Sequence, residues 1–592
     1  MCGFLGKMSF NDFDKTEIIT PNKKILCRGP DRTKELTFSN KGTQTSIIFN
    51  RLAIVDLSEK ADQPMVSSDN NYIIMFNGEI FNHMDLRRRL EKSGSTFYTS
   101  HSDTEVVLKG LISEGLKFVT KLRGQFSICF IDKKAGRVHL IRDRLGQKPL
   151  YYTLNNTDLI FGSNLNSVQE LLHEPSINEK QVINYLKYGV TGKGETLLNN
   201  VKKVLPAEVV TIDYKNLSFS VYKEKYWSIQ DKIDNKKFVT EEFIDKFSEA
   251  VRIRANADVP VANFLSGGLD STSIVKNMHD QNIGVNSFTV ASDNKIYDES
   301  YWAKTTSLKY QTNHQISNIT EKITMDLIDA AIGSLDEPYS DPSVVPSYLI
   351  SKKISEKYKV AITGDGGDEL FGGYQRTKIS MKNPNIYMRP LSYVYKLYPP
   401  YLGTGAKFLS KNNDISVRYK AFLEDNNLLR LLKINQNKAE DLIESEITIR
   451  DYKSMLLSDY QFYLPEMMMY KVDRTSMANS VETRSPFVDH ELIEYVLSHT
   501  TEYTEGQAQK QVLKDYLVGD FGKEFVNRKK QGFVFDIESW IFNNVNYFYE
   551  NIRNSHLSNY IDLTSLNLLK LNKSRINSHR IWKLYVLGKF IN

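Results

Sequence analysis

The stretch VPVANFLSGGLDSTSIVKNMH, residues 259–279, decides the fold of the larger part of this chain. It opens on an apolar run at 259–265, passes through a glycine-rich turn at 266–271 and closes on a helical run at 272–279. A buried strand that feeds a glycine turn and then a helix is the unit of an open parallel sheet, whose ligands sit beyond the carboxyl ends of the strands. The apolar segments 285–290 and 360–363 repeat the pattern, each leading into a loop. Gly267 and Gly268 let the backbone come close to a phosphate, and successive N–H groups at a helix start form an anion nest. Asp270 is awkward in such a loop unless it holds Mg²⁺, which takes one or two carboxylates plus phosphate oxygens. Taken alone, the loop reads equally well as a left-handed glycine turn beside an ordinary helix. The GxxxxGK[ST] pattern is absent, which disfavours a P-loop nucleotidase.

A second loop changes the balance. Thr363-Gly364-Asp365-Gly366-Gly367-Asp368-Glu369 follows the apolar Val360-Ala361-Ile362 and precedes Leu370-Phe371-Gly372-Gly373-Tyr374. Glycine-flanked carboxylates at a second strand end suit a second Mg²⁺ contact and a group facing a substrate. Two such loops are hard to explain as turns, so a nucleotide site is expected between them.

Upstream, residues up to about 210 read as short strands separated by turns. Residues 46–55, 72–76, 126–131 and 138–141 are rich in β-branched and aromatic side chains. Helical patterns intervene at 84–92 and 104–114, so an α+β domain of packed sheets is expected. A polar, lysine-rich stretch at 214–237 separates the two parts, giving expected domains of 2–210 and 238–592. Residues 379–444 read as mostly helical and carry little functional signal.

The whole chain has 592 residues, 41% hydrophobic and 25% charged, with 77 basic and 71 acidic side chains. At about 100–200 residues per domain, two to four domains are expected. No apolar run approaches the roughly 18 residues that span a bilayer, and residues 1–14 lack the pattern of a signal peptide. A cytoplasmic protein is the expectation. Three cysteines and ten histidines show no disulfide framework and no zinc spacing. A net charge of +6 without a long Lys/Arg block points to neither nucleic-acid nor membrane partners.

Cys2 follows the initiator methionine. With Met1 removed, the thiol and a free α-amine would share one residue, and an amine of pKa about 7.7–8.0 can accept the thiol proton. Alone, a cysteine at position 2 is usually incidental. Arg51 could clamp a carboxylate bidentately, although a single arginine reads as a surface residue. The Asn77 amide and the Gly78 N–H could form an oxyanion hole, or simply an Asn-Gly turn. Asp103 stands at an expected helix start, where an isolated Asp reads as an N-cap.

Taken together, these residues resemble the class II glutamine amidotransferase domain, an N-terminal-nucleophile glutaminase. Arg28-Gly29-Pro30-Asp31, Gln63-Pro64-Met65 and the run from Arg142 to Tyr152 match in order. The resemblance implies that Cys2 attacks the glutamine side-chain carbonyl. It places Arg51, Leu52 and Ile54 around the substrate, with Arg51 on its α-carboxylate. Glu79 and Asp103 would lie by the α-amine, and Asn77 and Gly78 would stabilise the oxyanion. Two positions depart from the family: Cys27 stands where His is usual, and Asn164 where Glu is usual.

The two glycine loops resemble the ATP-pyrophosphatase domain of asparagine synthetase and its relatives. The match continues through Tyr297-Asp298-Glu299-Ser300, Asp336-Glu337-Pro338-Tyr339, Lys471-Val472-Asp473-Arg474, Glu482-Thr483-Arg484-Ser485-Pro486-Phe487, Arg528-Lys529-Lys530-Gln531-Gly532-Phe533 and Trp582. It implies that Ser266, Gly267, Gly268 and Ser271 bind the ATP phosphates, while Leu265, Val290, Thr363 and Gly364 contact the adenosine. Asp270 and Asp368 would hold Mg²⁺, and Lys530 would stabilise departing pyrophosphate. Asp365 stands where several family members carry Glu, in the acyl-adenylate step, and marks a subfamily. The implied fold is an α+β N-terminal-nucleophile sandwich followed by an α/β adenine-nucleotide-hydrolase-like domain with a parallel sheet.

The implied reaction is glutamine-dependent asparagine synthesis. Aspartate activated by ATP as an acyl-adenylate would receive ammonia released at Cys2. The alternative keeps the chemistry and changes the acceptor to a sugar or cell-wall-precursor carboxylate, because fold and motif do not fix it. Closure of a β-lactam ring fits poorly, since members that catalyse it lack the N-terminal cysteine. A regulator with decayed sites would not keep both residue sets. Partners are then small molecules, with a homodimer possible.

Overall fold

The computed structural model describes residues 2–215, 217–233, 236–292, 299–319, 324–444, 446–500, 509–528 and 536–591. In the first part, the strand Gly3–Ser9 lies between Thr43–Arg51 and Asp158–Gly162, antiparallel to both, inside a six-stranded sheet. A second six-stranded antiparallel sheet includes Tyr72–Ile80, Gly124–Asp132, Arg137–Arg142 and Glu208–Lys215. Strand residues alternate between faces, and the alternation decides the layering. Phe4, Met8 and Phe49 of the first sheet meet Met75, Cys129 and Leu140 of the second in one core. Ile74, Phe76 and Ile128 face the opposite way and are covered by Leu86, Leu90, Val107 and Leu111 of the helices His83–Lys92 and Asp103–Glu114. Leu5, Ile48 and Ile160 pack outward against Ile18, Ile25 and Val168. The result is a helix–sheet–sheet–helix sandwich. Each large side chain so buried contributes about 1.5–3 kcal/mol.

The lysine-rich stretch 214–237, expected as a separator, is in part strand. Ser218–Lys225 pairs with Glu208–Lys215 along the edge of the second sheet, so its lysines solvate a strand rather than a free linker. The sheet pairing of the first part therefore runs on to Lys225.

The second part is built on a five-stranded parallel sheet. Its order is Asn313–Ile319, Asn286–Ser292, Val261–Phe264, Val360–Ile362 and Glu482–Arg484. The chain enters at Val261–Phe264, winds outward in one direction, then returns to build the other side. The order therefore reverses between Val261–Phe264 and Val360–Ile362, the place where such sheets bind ligands. The helix after the first glycine loop is Leu269–Asp280, three residues earlier than the sequence suggests, so Asp270 and Ser271 belong to its first turn. Between residues 379 and 444 the helices are short, such as Ile415–Lys420 and Asn426–Leu431. The helix Arg575–Ile591 buries Trp582 completely in the large core of this part.

Candidate active site

Cys2 immediately precedes the first strand and is 6% exposed, at the floor of an open cleft. The same cleft is lined by Arg51, Leu52, Ile54, Gly78, Glu79 and Asp103. Six residues that the sequence scatters between positions 51 and 103 thus converge on the thiol. Thr43–Arg51 delivers Arg51 because it is hydrogen-bonded beside the Cys2 strand. Tyr72–Ile80 delivers Gly78 and Glu79 from the other sheet. Asp103 is the first residue of its helix, and it is not the cap: Ser102 holds that position, and the Asp103 carboxylate accepts the Ile80 N–H at 3.1 Å.

Gly78 has φ +146° within the strand, and a Cβ there would lie 1.9 Å from the Gln125 carbonyl oxygen. Only glycine brings the backbone this close. Asn77 is fully buried; its Oδ1 accepts the Cys2 N–H at 3.1 Å and its Nδ2 donates to Ser127 Oγ at 3.3 Å. Its donor therefore faces Ser127 in this arrangement. The Arg51 guanidinium is fixed by the loop 55–62, donating to the Ser58 carbonyl at 2.8 Å, to Asp62 at 2.5 Å and to the Asp56 carbonyl. Burial pushes the Cys2 thiol above its ordinary value, while the N-terminal charge, a Leu52 backbone N–H and Arg51 pull it back.

In the second part, the loops after Val261–Phe264 and Val360–Ile362 face each other. A Cβ on Gly364 would touch Asp270 Cβ at 2.9 Å, and Gly267, at φ +73°, would clash with the backbone of Trp302 and Ala303. Ser266 and Ser271 share a 3.2 Å contact between hydroxyls, and Ser266 Oγ accepts the Gly268 N–H at 3.2 Å. Leu265 and Val290 belong to neighbouring strand ends, with the Leu265 N–H bonded to the Phe288 carbonyl. Thr363 is tied to the next strand through the Arg484 carbonyl at 2.9 Å. Asp270 and Asp368 meet at one cation: Lys510 Nζ lies 2.7 Å from Asp270 Oδ1 and 2.7 Å from Asp368 Oδ1. A Cβ on Gly367 would reach Asp270 Oδ1 at 2.6 Å, and one on Gly373 would reach Asp368 Oδ1 at 1.9 Å. Two carboxylates around one positive charge, with glycines leaving the space, fit a Mg²⁺ site in donor type and room. Lys530, Tyr297 and Asp298 lie outside the described residues.

Sequence reasoning missed three residues here. Lys510 sits at φ +56° before the helix Gln511–Asn527, in a segment without periodicity, so nothing marked it. Glu482 lines the Cys2 cleft although it belongs to the parallel sheet of the second part. Arg484, wholly buried, donates through Nε to Glu482 at 2.6 Å and through Nη2 to Glu79. In the sequence both stand only within the matching segment Glu482-Thr483-Arg484-Ser485-Pro486-Phe487, with no signal of their own.

A second, narrow cavity lies between the two parts. Gln125, Gln147 and Lys148 line it from one side, and Thr363, Asp365, Asp473 and Thr483 from the other. Beside it, Arg28 pairs twice with Asp473, at 2.9 and 3.1 Å, and also donates to the Cys2 carbonyl at 3.2 Å. Arg28, Lys148 and Arg474 hold the Asp473 carboxyl well below its ordinary value despite burial. The two departures from the family pattern stand elsewhere. Asn164 caps the helix Leu165–Gln169 through the Ser167 N–H, and the Cys27 carbonyl accepts from Ser480 Oγ at 2.6 Å.

Known protein families match the chain in two segments. The glutamine amidotransferase domain family matches residues 1–227, and the asparagine synthase family matches residues 242–587. The glutamine-hydrolyzing asparagine synthetase 1 of Bacillus subtilis is 30% identical to the chain, over 93% of this chain and 90% of its own length. A putative glutamine-hydrolyzing asparagine synthetase 2 of Methanocaldococcus jannaschii is 32% identical over 78% of this chain and 92% of its own. Amidase chyE of Penicillium rubens is 26% identical over 79% and 76% respectively.

Proposed function

The chain belongs to the asparagine synthase family, and on that premise we propose that it transfers the amide nitrogen of glutamine to the side-chain carboxylate of aspartate, cleaving ATP to AMP and pyrophosphate. The observation that carries the reading is the convergence of Cys2, Arg51, Gly78, Glu79 and Asp103 on one cleft, with a second acidic glycine-loop site across a shared interface.

With Met1 removed, the α-amine of Cys2 takes the thiol proton and the thiolate attacks the glutamine amide carbon. Arg51, held rigid by Asp62 and the loop carbonyls, presents its remaining donor capacity to the substrate carboxylate. The Gly78 N–H and the Asn77 amide receive the oxyanion, the latter by giving up its long contact to Ser127. Collapse releases ammonia and leaves a thioester, which water hydrolyses to glutamate.

In the unit 238–592, Ser266, Gly267, Gly268 and Ser271 cradle the ATP phosphates, and Leu265, Val290, Thr363 and Gly364 border the adenosine. Asp270 and Asp368 would hold Mg²⁺, which would supply positive charge to the phosphates. Lys530 is assigned to the leaving pyrophosphate by its motif. The aspartate carboxylate attacks the α-phosphorus with Asp365 nearby, and ammonia displaces AMP from the adenylate. Free ammonia is mostly protonated at neutral pH, so a protected route matters. The cavity bordered by Lys148 and Asp365 supports that route, because Glu482 lines the Cys2 cleft and its neighbour Thr483 lines this cavity.

A second acceptor stays in view, a sugar or cell-wall-precursor carboxylate, because fold and motif do not fix it. Purified protein with ATP, Mg²⁺ and glutamine, assayed with and without aspartate, separates the two. Aspartate-dependent pyrophosphate and asparagine support the first reading. Glutamate without aspartate-dependent pyrophosphate supports another acceptor.

A further inference from the structure

The cleft around Cys2 is closed by the other half of the molecule. Glu482 opens the three-residue strand Glu482–Arg484 at the edge of the parallel sheet, is 1% exposed and lines the cleft beside Glu79 and Asp103. The Arg484 guanidinium bridges Glu482 and Glu79, and donates further to the carbonyls of Arg254 at 2.9 Å and Asn256 at 2.8 Å. Arg484 is therefore immobile, and Glu482 is held at the cleft by it.

We propose that Glu482 is a third carboxylate of the subsite that receives the α-ammonium of glutamine, so that the glutaminase site is completed by a residue of the synthetase half. This inference rests on the reading of the cleft as a glutamine site. Three buried carboxylates cannot all stay ionised cheaply in one cleft. Glu79 shows the cost: burial first, then Glu482 and Asp103, push it well above the ordinary carboxylate range, against the pull of Arg484. Arg484 gives the three carboxylates one bridging cation, and an ammonium group, with three donors, brings a further positive charge to them. The rest of the strand points toward the other site. Ile362 pairs with Arg484, the Arg484 carbonyl accepts the Thr363 N–H, and Ser485 Oγ donates to the Asp365 carbonyl. The carboxylate that senses the substrate amine therefore stands on the strand that braces the loop 363–365.

The test is selectivity for the amine. Glutaminase kinetics are measured with glutamine and with 4-carbamoylbutanoate, which is glutamine without its α-amino group. In Glu482→Gln, which keeps the shape and the acceptor for Arg484, kcat/KM for glutamine falls about tenfold or more while that for the analogue hardly changes. Glu482→Asp, which keeps the charge, retains a preference for glutamine between those of the parent and Glu482→Gln. Ammonia-dependent product formation in each variant shows that the synthetase half is folded. An unchanged ratio between the two substrates, whether both rates hold or both fall together, overturns the inference. A parent protein that hydrolyses no glutamine instead overturns the underlying reading, and the inference with it.

Discussion

Cys2 and Asp368 separate the two half-reactions at the level of single side chains. Cys2→Ala removes the only atom that attacks glutamine, so glutamine-dependent product should fall by at least about a thousandfold. Product formed from added ammonium salt should persist, because that nitrogen needs no thiol. Loss of both activities would argue against independent sites. Asp368→Asn acts on the other side: it leaves one carboxylate at the cation position, and the Mg²⁺ concentration for half-maximal pyrophosphate release should rise about tenfold or more. Glutamate formation at Cys2 should not change, and an unchanged Mg²⁺ requirement would contradict the assignment of Asp368. Gly78→Ala would force a side chain to within 1.9 Å of a carbonyl oxygen at φ +146°. Its strain is about 1–3 kcal/mol, and glutaminase kcat should drop more than KM rises, because the oxyanion donor moves.

Among the elements, the strands that feed the glycine loops were legible because buried parallel strands read as continuous apolar runs. Val261–Phe264 and Val360–Ile362 differ from their expected bounds by a residue or two. The helices His83–Lys92 and Asp103–Glu114 also appear close to where the pattern places them. The strand Glu482–Arg484 was not legible, since its three residues are polar and charged. It is buried because ion pairs across the molecule replace the water its side chains lose, and sequence periodicity carries no trace of such pairing. Lys510 escaped for the same reason: its meaning lies in Asp270 and Asp368, both more than 140 positions away. The helix Tyr470–Met477 and the segment before Arg32–Asn40 meet through Arg28 and Asp473. Removing one partner of a buried pair costs about 3–5 kcal/mol. Asp473→Ala leaves Arg28, Lys148 and Arg474 facing each other, so a drop of several degrees in Tm by calorimetry is expected. A Tm equal to the parent's would show that the pair does not hold the halves together.

For the molecule as a whole, buried histidines set an acid limit. Burial lowers His139 to about 4, His490 to about 3 and His579 to about 4. Between those values and the unfolded value of about 6.5, the unfolded chain binds protons that the folded chain refuses. The contribution of these three histidines to stability is therefore fully present above pH 6.5 and is lost as pH drops toward 4, while Glu369, raised by burial to about 7, offsets part of it over the same window. Urea midpoints measured from pH 7.5 to 4.5 should decline through that window, and a flat profile would contradict it. His490 lies beside the Arg123–Asp489 pair, which ties the first part to the second at 2.9 Å, so dissociation of the halves should accompany the loss. The central claim is that one chain passes nitrogen from glutamine to an activated aspartate, and isotope transfer tests it most directly. Amide-¹⁵N glutamine, ATP, Mg²⁺ and aspartate are incubated with excess unlabelled ammonium, and the asparagine is analysed by mass spectrometry. The account predicts asparagine whose side-chain amide is mainly ¹⁵N, with one AMP and one pyrophosphate per molecule formed. Unlabelled asparagine would contradict a protected passage between the sites, and labelled ammonia without asparagine would contradict aspartate as the acceptor.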